Sequence, residues 1–376
     1  MRRKKILFVI PEYSIGGTNT SLANLLSLID HERFDVSILS LYEDGTEHFK
    51  SLFRHYIIRK SLLYTLVHDN KLTRKVMGLL MKLSQKVNFN WLYRYEANRI
   101  QRESEFDSVI AFQECSATYF VSMMKDCKNR IAWIHCDYKN RGIFSEYSIY
   151  SRFDHIISVS QSAVKSVCES YPDLANRVSC IYNAIDTEKI IQMAFEASNP
   201  YKERANCFRI LSVGRFVEVK QFHRIPQIVE DIKKLTGKYF CWYIIGDGAD
   251  RSTVEQEVRR KGLSDSIHFL GAKNNPYPYF YNADLHVCTS LSESFSYTIA
   301  ESKVLHTPVL TNDFPVAREV VDSCSGWICN IDEMPQLLSR IINDEDGIYS
   351  RVKKSISTYV YDNQAILDEF YKMISV

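Results

Sequence analysis

Short runs of consecutive apolar residues, many of them β-branched, recur along the whole chain, with amphipathic stretches between them. In the first half these runs occupy 6–10, 36–39, 109–112, 131–134 and 156–159. In the second half they occupy 210–213, 242–245, 267–270, 285–288 and 309–311. Apolar runs this short, without polar alternation, read as strands buried on both faces, the pattern of parallel sheets. Stretches with helical spacing lie between them, for example at 21–28, 222–235 and 253–261. Strand–helix alternation in two successive series predicts an α/β protein of two doubly wound, Rossmann-like domains. Asn183-Ala184-Ile185-Asp186 reads as a turn, and Ser198-Asn199-Pro200 breaks the helix after it. These signals divide the chain into a domain over 1–190, a second over 191–355 and a C-terminal segment over 356–376 with a helix at about 365–374.

Residues 50–105 interrupt the alternation. The pattern predicts a long helical insert in which basic and aromatic residues interleave. From 52 to 102 there are eleven Lys and Arg side chains against Asp69 and Glu96, a net +9 in a chain whose total is +2. Two readings stand side by side. The insert packs its apolar stripe on its own sheet and leaves its cations in water, or it lies on an anionic membrane surface.

Bulk composition narrows the function by exclusion. With 376 residues, 45% hydrophobic and 24% charged, the chain has material for two cores. The small net charge does not point to nucleic acid. No apolar run reaches the roughly 18 residues of a membrane-spanning helix. Met1-Arg2-Arg3-Lys4-Lys5 leads straight into the first apolar run, so no leader is expected and the expected location is cytoplasmic, peripheral on the inner face of the cell membrane if the insert binds lipid. Ten cysteines are scattered without Cys-x2-Cys spacing, which reads as reduced thiols and not as a zinc site.

The chemistry-bearing residues fall at the ends of the apolar runs. Gly16-Gly17 follows the first run and precedes a helix, where close backbone approach and a helix N-terminus suit an anion. It is not a full G-x-G-x-x-G, and no Walker-type lysine follows. Trp133-Ile134-His135 ends another run, which places His135 at the carboxyl end of a strand, in reach of a sugar hydroxyl. In the second half, Val213-Gly214-Arg215-Phe216 with Lys220 puts two cations at a strand's carboxyl end, where doubly wound sheets bind ligands and where a leaving diphosphate would need neutralising. Ile245-Gly246-Asp247-Gly248 closes another strand as a turn. Glu293 and Glu301 stand eight positions apart around a helix start. Eight helical residues span about 12 Å, the size of a sugar–diphosphate–ribose. A carboxylate at each end and an anion-binding helix N-terminus between them suit a nucleotide sugar.

The ordered set Val213-Gly214-Arg215-Phe216, Lys220, Ile245-Gly246-Asp247-Gly248, Phe269-Leu270-Gly271, Glu293-x7-Glu301 and Thr307-Pro308-Val309 resembles the family-4 retaining glycosyltransferases of the GT-B fold. Gly16-Gly17, Trp133-Ile134-His135, Ser158-Val159-Ser160 and Tyr182-Asn183-Ala184-Ile185-Asp186 extend the resemblance over most of the chain. The resemblance implies two doubly wound domains facing each other across a cleft, with the C-terminal helix packed back on the first. It also implies roles for residues. Arg215 and Lys220 would hold the donor diphosphate, Glu301 the ribose hydroxyls, and Glu293 the donor sugar. Backbone N–H groups of Phe295, Ser296 and Tyr297 would meet phosphate or sugar oxygens. His135 would contact the transferred sugar, with Gly16 and Gly17 approaching the donor. Three departures stand out: Ser294, Ser296 and His306 occupy positions where the family commonly has glycine.

The expected activity is a retaining hexosyl or N-acetylhexosaminyl transfer from a nucleotide diphosphate sugar, such as a UDP-sugar, to an acceptor hydroxyl. The setting is bacterial-type surface polysaccharide or glycolipid synthesis, and the acceptor a saccharide or lipid-linked saccharide. No metal and no cofactor beyond the donor substrate are expected. A silent nucleotide-sugar-binding protein and a sugar-nucleotide epimerase are the other classes the pattern allows.

Overall fold

The computed structural model describes residues 2–11, 17–41, 53, 56–60, 90–125, 127–136, 147–201 and 207–375. The chain forms two compact units, one of residues 1–185 and 363–376, the other of residues 186–362.

The first unit holds a parallel sheet of seven strands in the order β3-β2-β1-β4-β5-β6-β7. They are β1 Lys4–Ile10, β2 Phe34–Ser40, β3 Ile57–Lys60, β4 Ser108–Ala111, β5 Arg130–Ile134, β6 His155–Ser158 and β7 Val178–Cys180. Leu7, Val9, Val109, Ala111, Ala132 and Ile134 alternate into one core, where the apolar strands are covered on both faces. The strand order reverses between β1 and β4, so a crevice opens there at the carboxyl ends of the strands. Gly17 and Glu114 lie next to that point in sequence, and His135 follows β5 beside it.

The C-terminal helix Asn363–Ile374 belongs to this unit. Phe370 is buried against Phe8 and Trp133, Tyr371 stacks on Phe34 at 5.2 Å, and the Asn129 side chain donates to Met373 O at 2.7 Å. One side chain ties the chain's exit from the unit to its return. The Asn363 amide donates to Ile185 O at 2.7 Å, and its Oδ1 accepts from Ile185 N–H at 3.1 Å. The break between units therefore falls at Ile185, five residues before the boundary the sequence suggested. The helix that follows, Thr187–Ala194, is capped by Asp186 and packs on the helices Tyr277–Tyr281 and Tyr297–Val304 of the second unit.

The second unit holds a parallel sheet of six strands in the order β10-β9-β8-β11-β12-β13. They are β8 Phe208–Val213, β9 Phe240–Ile245, β10 Ile267–Gly271, β11 Leu285–Cys288, β12 Val309–Asn312 and β13 Gly326–Cys329. Trp242 is fully buried at its centre, and its indole N–H donates to Ser212 Oγ, which donates to Val287 O. This sheet reverses between β8 and β11.

Two expectations change. The ten anticipated strands form, and β3, β7 and β13 join them. Within 50–105 the described residues are not one helical insert: Ile57–Lys60 is a strand and Asn90–Glu103 a helix. Residues 61–89 lie outside the described ones.

Candidate functional site

In the second unit, the loops after β8 and β9 are laced together by their backbones. Gly214 N–H donates to Ile245 O at 3.0 Å, Phe216 N–H to Asp247 O at 2.9 Å, and Asp250 N–H to Phe216 O at 3.1 Å. Gly246 has φ +145°, and a Cβ there would lie 1.8 Å from Gly214 O. A Cβ on Gly248 would lie 2.4 Å from Phe216 O. The Gly246-Asp247-Gly248 turn therefore serves as a brace for the loop that presents Arg215, which refines its reading as a turn that closes a strand. Asp247 itself receives Gly248 N–H and pairs with Arg251. Arg215 is exposed and has no ion-pair partner among the described residues.

Lys220 ends a single 3₁₀ turn, Glu218–Lys220, closed by Gln221 in the left-handed region at φ +51°. The loop after β11 holds that turn: Thr289 Oγ1 donates to Lys220 O at 2.6 Å, and Leu291 N–H to Val219 O at 2.8 Å. The Lys220 ammonium forms a short ion pair with Glu293 Oε1, which also accepts from Ser290 Oγ at 2.7 Å. The Asn312 amide pins Ser290 O at 2.9 Å. The two side chains are largely shielded, at 20% and 13% exposure. The sequence reading gave Lys220 and Glu293 separate roles, and the structure couples them into one charge-paired cluster. Ser290, Thr289 and Asn312 carry no signal of their own in the sequence.

Glu293 leads into the helix Tyr297–Val304. Its cap residue Ser296 lies in the left-handed region at φ +69° and makes no side-chain capping bond. The first-turn N–H groups thus receive no oxygen from the cap, which leaves them for a ligand. Phe295 is buried, and its ring meets that of Tyr297 edge-on at 5.2 Å. Ser296 keeps the backbone conformation that glycine adopts freely, and so does His306 at φ +56°. His306 thus holds a left-handed turn despite its side chain. Its carbonyl accepts from the Lys353 ammonium at 3.2 Å.

Glu301 lies on the same helix, and Tyr277 Oη donates to its Oε1 at 3.2 Å. Burial pushes the Glu301 carboxyl up to about 7, and the Tyr277 hydrogen bond works against that rise. Tyr277 is a further site residue that the sequence did not single out.

In the first unit, Gly17 opens the helix Gly17–Leu28 and is exposed. Gly16 lies outside the described residues. The His135 ring stands 4.7 Å from that of Phe112 and nearly parallel to Trp133. Burial pulls its pKa down to about 4, against the opposing charge of Glu114, so the imidazole is neutral at pH 7. Glu114 Oε1 accepts the backbone N–H of His135 at 2.5 Å and of Cys136 at 2.6 Å. Among the described residues no group of three His, Cys, Asp or Glu side chains is placed to hold a metal ion.

Two family models match the chain: Glycosyltransferase Family 4 over residues 15–189 and Glycosyl transferases group 1 over residues 195–354. This chain belongs to the group 1 glycosyltransferases of the GT-B fold. It is similar to the O-antigen chain mannosyltransferase RfbU of Salmonella typhimurium, at 27% identity over 51% of this chain and 55% of that protein. It is also similar to the lipopolysaccharide core biosynthesis glycosyltransferase LpsE of Rhizobium meliloti, at 31% identity over 44% and 49%. The matched part spans about half the length of these curated relatives. Among solved structures, HepE of Anabaena in complex with UDP shares the fold, with a TM-score of 0.73 at 18% identity over 99% of both chains.

Proposed function

We propose that this protein transfers a hexose or N-acetylhexosamine from a nucleotide diphosphate sugar to an acceptor hydroxyl, with retention of configuration, in the synthesis of a bacterial surface polysaccharide or glycolipid. The observation that carries the reading is the Lys220–Glu293–Ser290 cluster beside a helix N-terminus with no capping side chain, where the second sheet reverses. The chemistry follows from charge. As the bond from sugar to diphosphate breaks, negative charge grows on the leaving phosphate. Lys220, Arg215 and the first-turn amides stabilise it, the largest contribution such a site offers. Glu293, held by Lys220 and Ser290, takes a hydroxyl of the donor sugar. The acceptor's proton passes to the leaving phosphate on the same face, which preserves configuration without a protein nucleophile. The names of the relatives support a lipid-linked or lipopolysaccharide acceptor, and the HepE complex supports a uridine donor. Incubation with candidate nucleotide sugars and acceptors, with anomeric analysis of the product, tests the reading. No release of nucleoside diphosphate from any donor overturns it.

Glu301 takes the ribose hydroxyls in this reading, and that role has a pH signature. A carboxylate accepts from both hydroxyls, whereas the protonated acid loses an acceptor. With its carboxyl at about 7, Glu301 contributes most to folding stability below the ordinary glutamate range, and that contribution is lost as pH rises through 7. Donor binding runs the other way and strengthens through the same window. The affinity for a nucleotide sugar, whose diphosphate stays ionised throughout, should be about tenfold higher at pH 8 than at pH 6. Isothermal titration of the wild type and of Glu301→Gln checks it. A sloping profile in the Gln variant removes Glu301 as the source.

The helix Asn90–Glu103 supports a membrane-facing acceptor side. Leu92, Ala97 and Ile100 enter the core, while Trp91, Arg94, Tyr95, Asn98 and Arg102 share one exposed stripe. Trp91 is 64% exposed and Tyr95 58%. Two cations of the basic stretch are spent internally, since Arg99 pairs with Glu96 and Glu103 and Arg59 with Glu103. The remaining stripe combines interfacial aromatics with arginines, the composition that seats a helix on anionic lipid. Replacing Arg94 and Arg102 together by alanine should weaken binding to phosphatidylglycerol vesicles about 30-fold, at about 1 kcal/mol per arginine. Flotation of the wild type with such vesicles is the control, and no binding there overturns the idea. No helix among the described residues is long and apolar enough to cross a membrane.

A further inference from the structure

Glu114 has no role in the sequence pattern, yet it lies directly behind His135. It follows β4, His135 follows β5, and the two strands are neighbours. The β5–β6 ladder ends at the Ile134–Ser158 pair, so the amides of His135 and Cys136 come after the last paired residue of β5. Glu114 Oε1 receives both, at 2.5 and 2.6 Å. Glu114 is 6% exposed and Cys136 4%. Two successive N–H groups converging on one buried anionic oxygen fix the backbone at that point, because each bond is charge-assisted. The imidazole is constrained as well, with the Phe112 ring 4.7 Å away and the Trp133 ring nearly parallel to it. Its Nε2 is buried without a hydrogen-bond partner. A buried, unpartnered ring nitrogen on a backbone this firmly held is arranged for a partner that the protein alone does not supply.

We propose that Glu114 is the positioning residue of the first unit, its carboxylate clamping the His135–Cys136 backbone so that the His135 imidazole hydrogen-bonds a sugar hydroxyl of the substrate. The proposal rests on the sugar-transfer reading above. The role assigned to Glu114 is that of an acceptor, its Oε1 holding the two amides. What matters is the acceptor oxygen at that place, and glutamine retains one.

The test compares Glu114→Ala with Glu114→Gln in the full chain. The alanine variant should lose about 10²-fold in kcat, the effect of a reacting group displaced by about 1 Å, with the donor KM within about twofold of wild type. The glutamine variant should recover most of that loss. In parallel, NMR of selectively labelled protein reads the clamp without any turnover. The His135 and Cys136 amide protons should resonate downfield in the wild type, move only partly in Glu114→Gln, and collapse to ordinary shifts in Glu114→Ala. A glutamine variant as impaired as alanine overturns the positioning role, as does an alanine variant with wild-type kcat. Unchanged amide shifts in Glu114→Ala overturn the clamp itself. If the wild type transfers no sugar while the amide shifts behave as stated, the functional reading fails and the clamp stands. If the alanine variant does not fold, the glutamine variant alone decides: its amide protons must remain downfield, and kcat must stay within about tenfold of wild type.

Discussion

Replacing Lys220 by alanine should lower kcat by about 10²- to 10³-fold, the scale of removing one preorganised stabiliser of a developing anion. Two losses combine. The ammonium no longer meets the charge growing on the leaving diphosphate, and Glu293 is left with Ser290 as its remaining partner in a largely shielded place. An unpaired carboxylate there repels the donor's phosphates. Arg215→Ala should cost less, because the guanidinium is exposed and water replaces part of its effect. The coupling is the sharper measurement. In a cycle of Lys220→Ala, Glu293→Gln and the double variant, the double should be far less impaired than the product of the singles, since removing Lys220 strands a charge that Glu293→Gln has already taken away. Initial rates of nucleoside diphosphate release at saturating donor supply the numbers. A Lys220→Ala kcat within threefold of wild type would exclude Lys220 from the reaction, and strictly multiplicative effects would exclude the coupling.

The same cluster shows what the chain discloses without coordinates and what it withholds. Lys220, Glu293 and Glu301 were legible because few residue types carry charge and because each follows an apolar run at a spacing that a strand and a helix impose. Their partners were not. Tyr277, Ser290 and Thr289, and likewise Glu114 behind His135 in the first unit, are ordinary residues in ordinary contexts, and only the sheet order brings β4 beside β5 and β8 beside β11. The missed strands have a common cause. β3, β7 and β13 all lie at sheet edges, where pairing on one side tolerates short or polar sequences. Ile57-Ile58-Arg59-Lys60 has the look of the basic stretch around it, and β7 is three residues long. The glycine-to-serine departure at 296 shows the limit in another form. The sequence revealed the added hydroxyl, but not that the backbone would hold φ at +69° as glycine would, at a cost of about 1–2 kcal/mol.

Gly246→Ala should be the most destabilising single methyl the second unit can receive near its site. The new Cβ would lie 1.8 Å from Gly214 O and 2.9 Å from Gly214 C, both backbone atoms that no rotamer change can move aside. The φ of +145° adds strain for any L side chain. Relief requires parting the loops after β8 and β9, which gives up the Gly214 N–H bond to Ile245 O and disturbs that of Gly246 N–H to Gly271 O. A loss of about 3 kcal/mol or more follows, or about 6–12 °C in Tm for a unit of this size. Gly237→Ala is the matched control, because a Cβ there meets nothing within 4 Å, and its Tm should stay within about 2 °C of wild type. The functional consequence is tied to the structural one, since the strained contact is with the residue just before Arg215. Donor affinity should therefore fall together with Tm in Gly246→Ala and be untouched in Gly237→Ala. A Gly246→Ala protein that melts early yet binds donor normally would show that Arg215 is placed by something other than this brace.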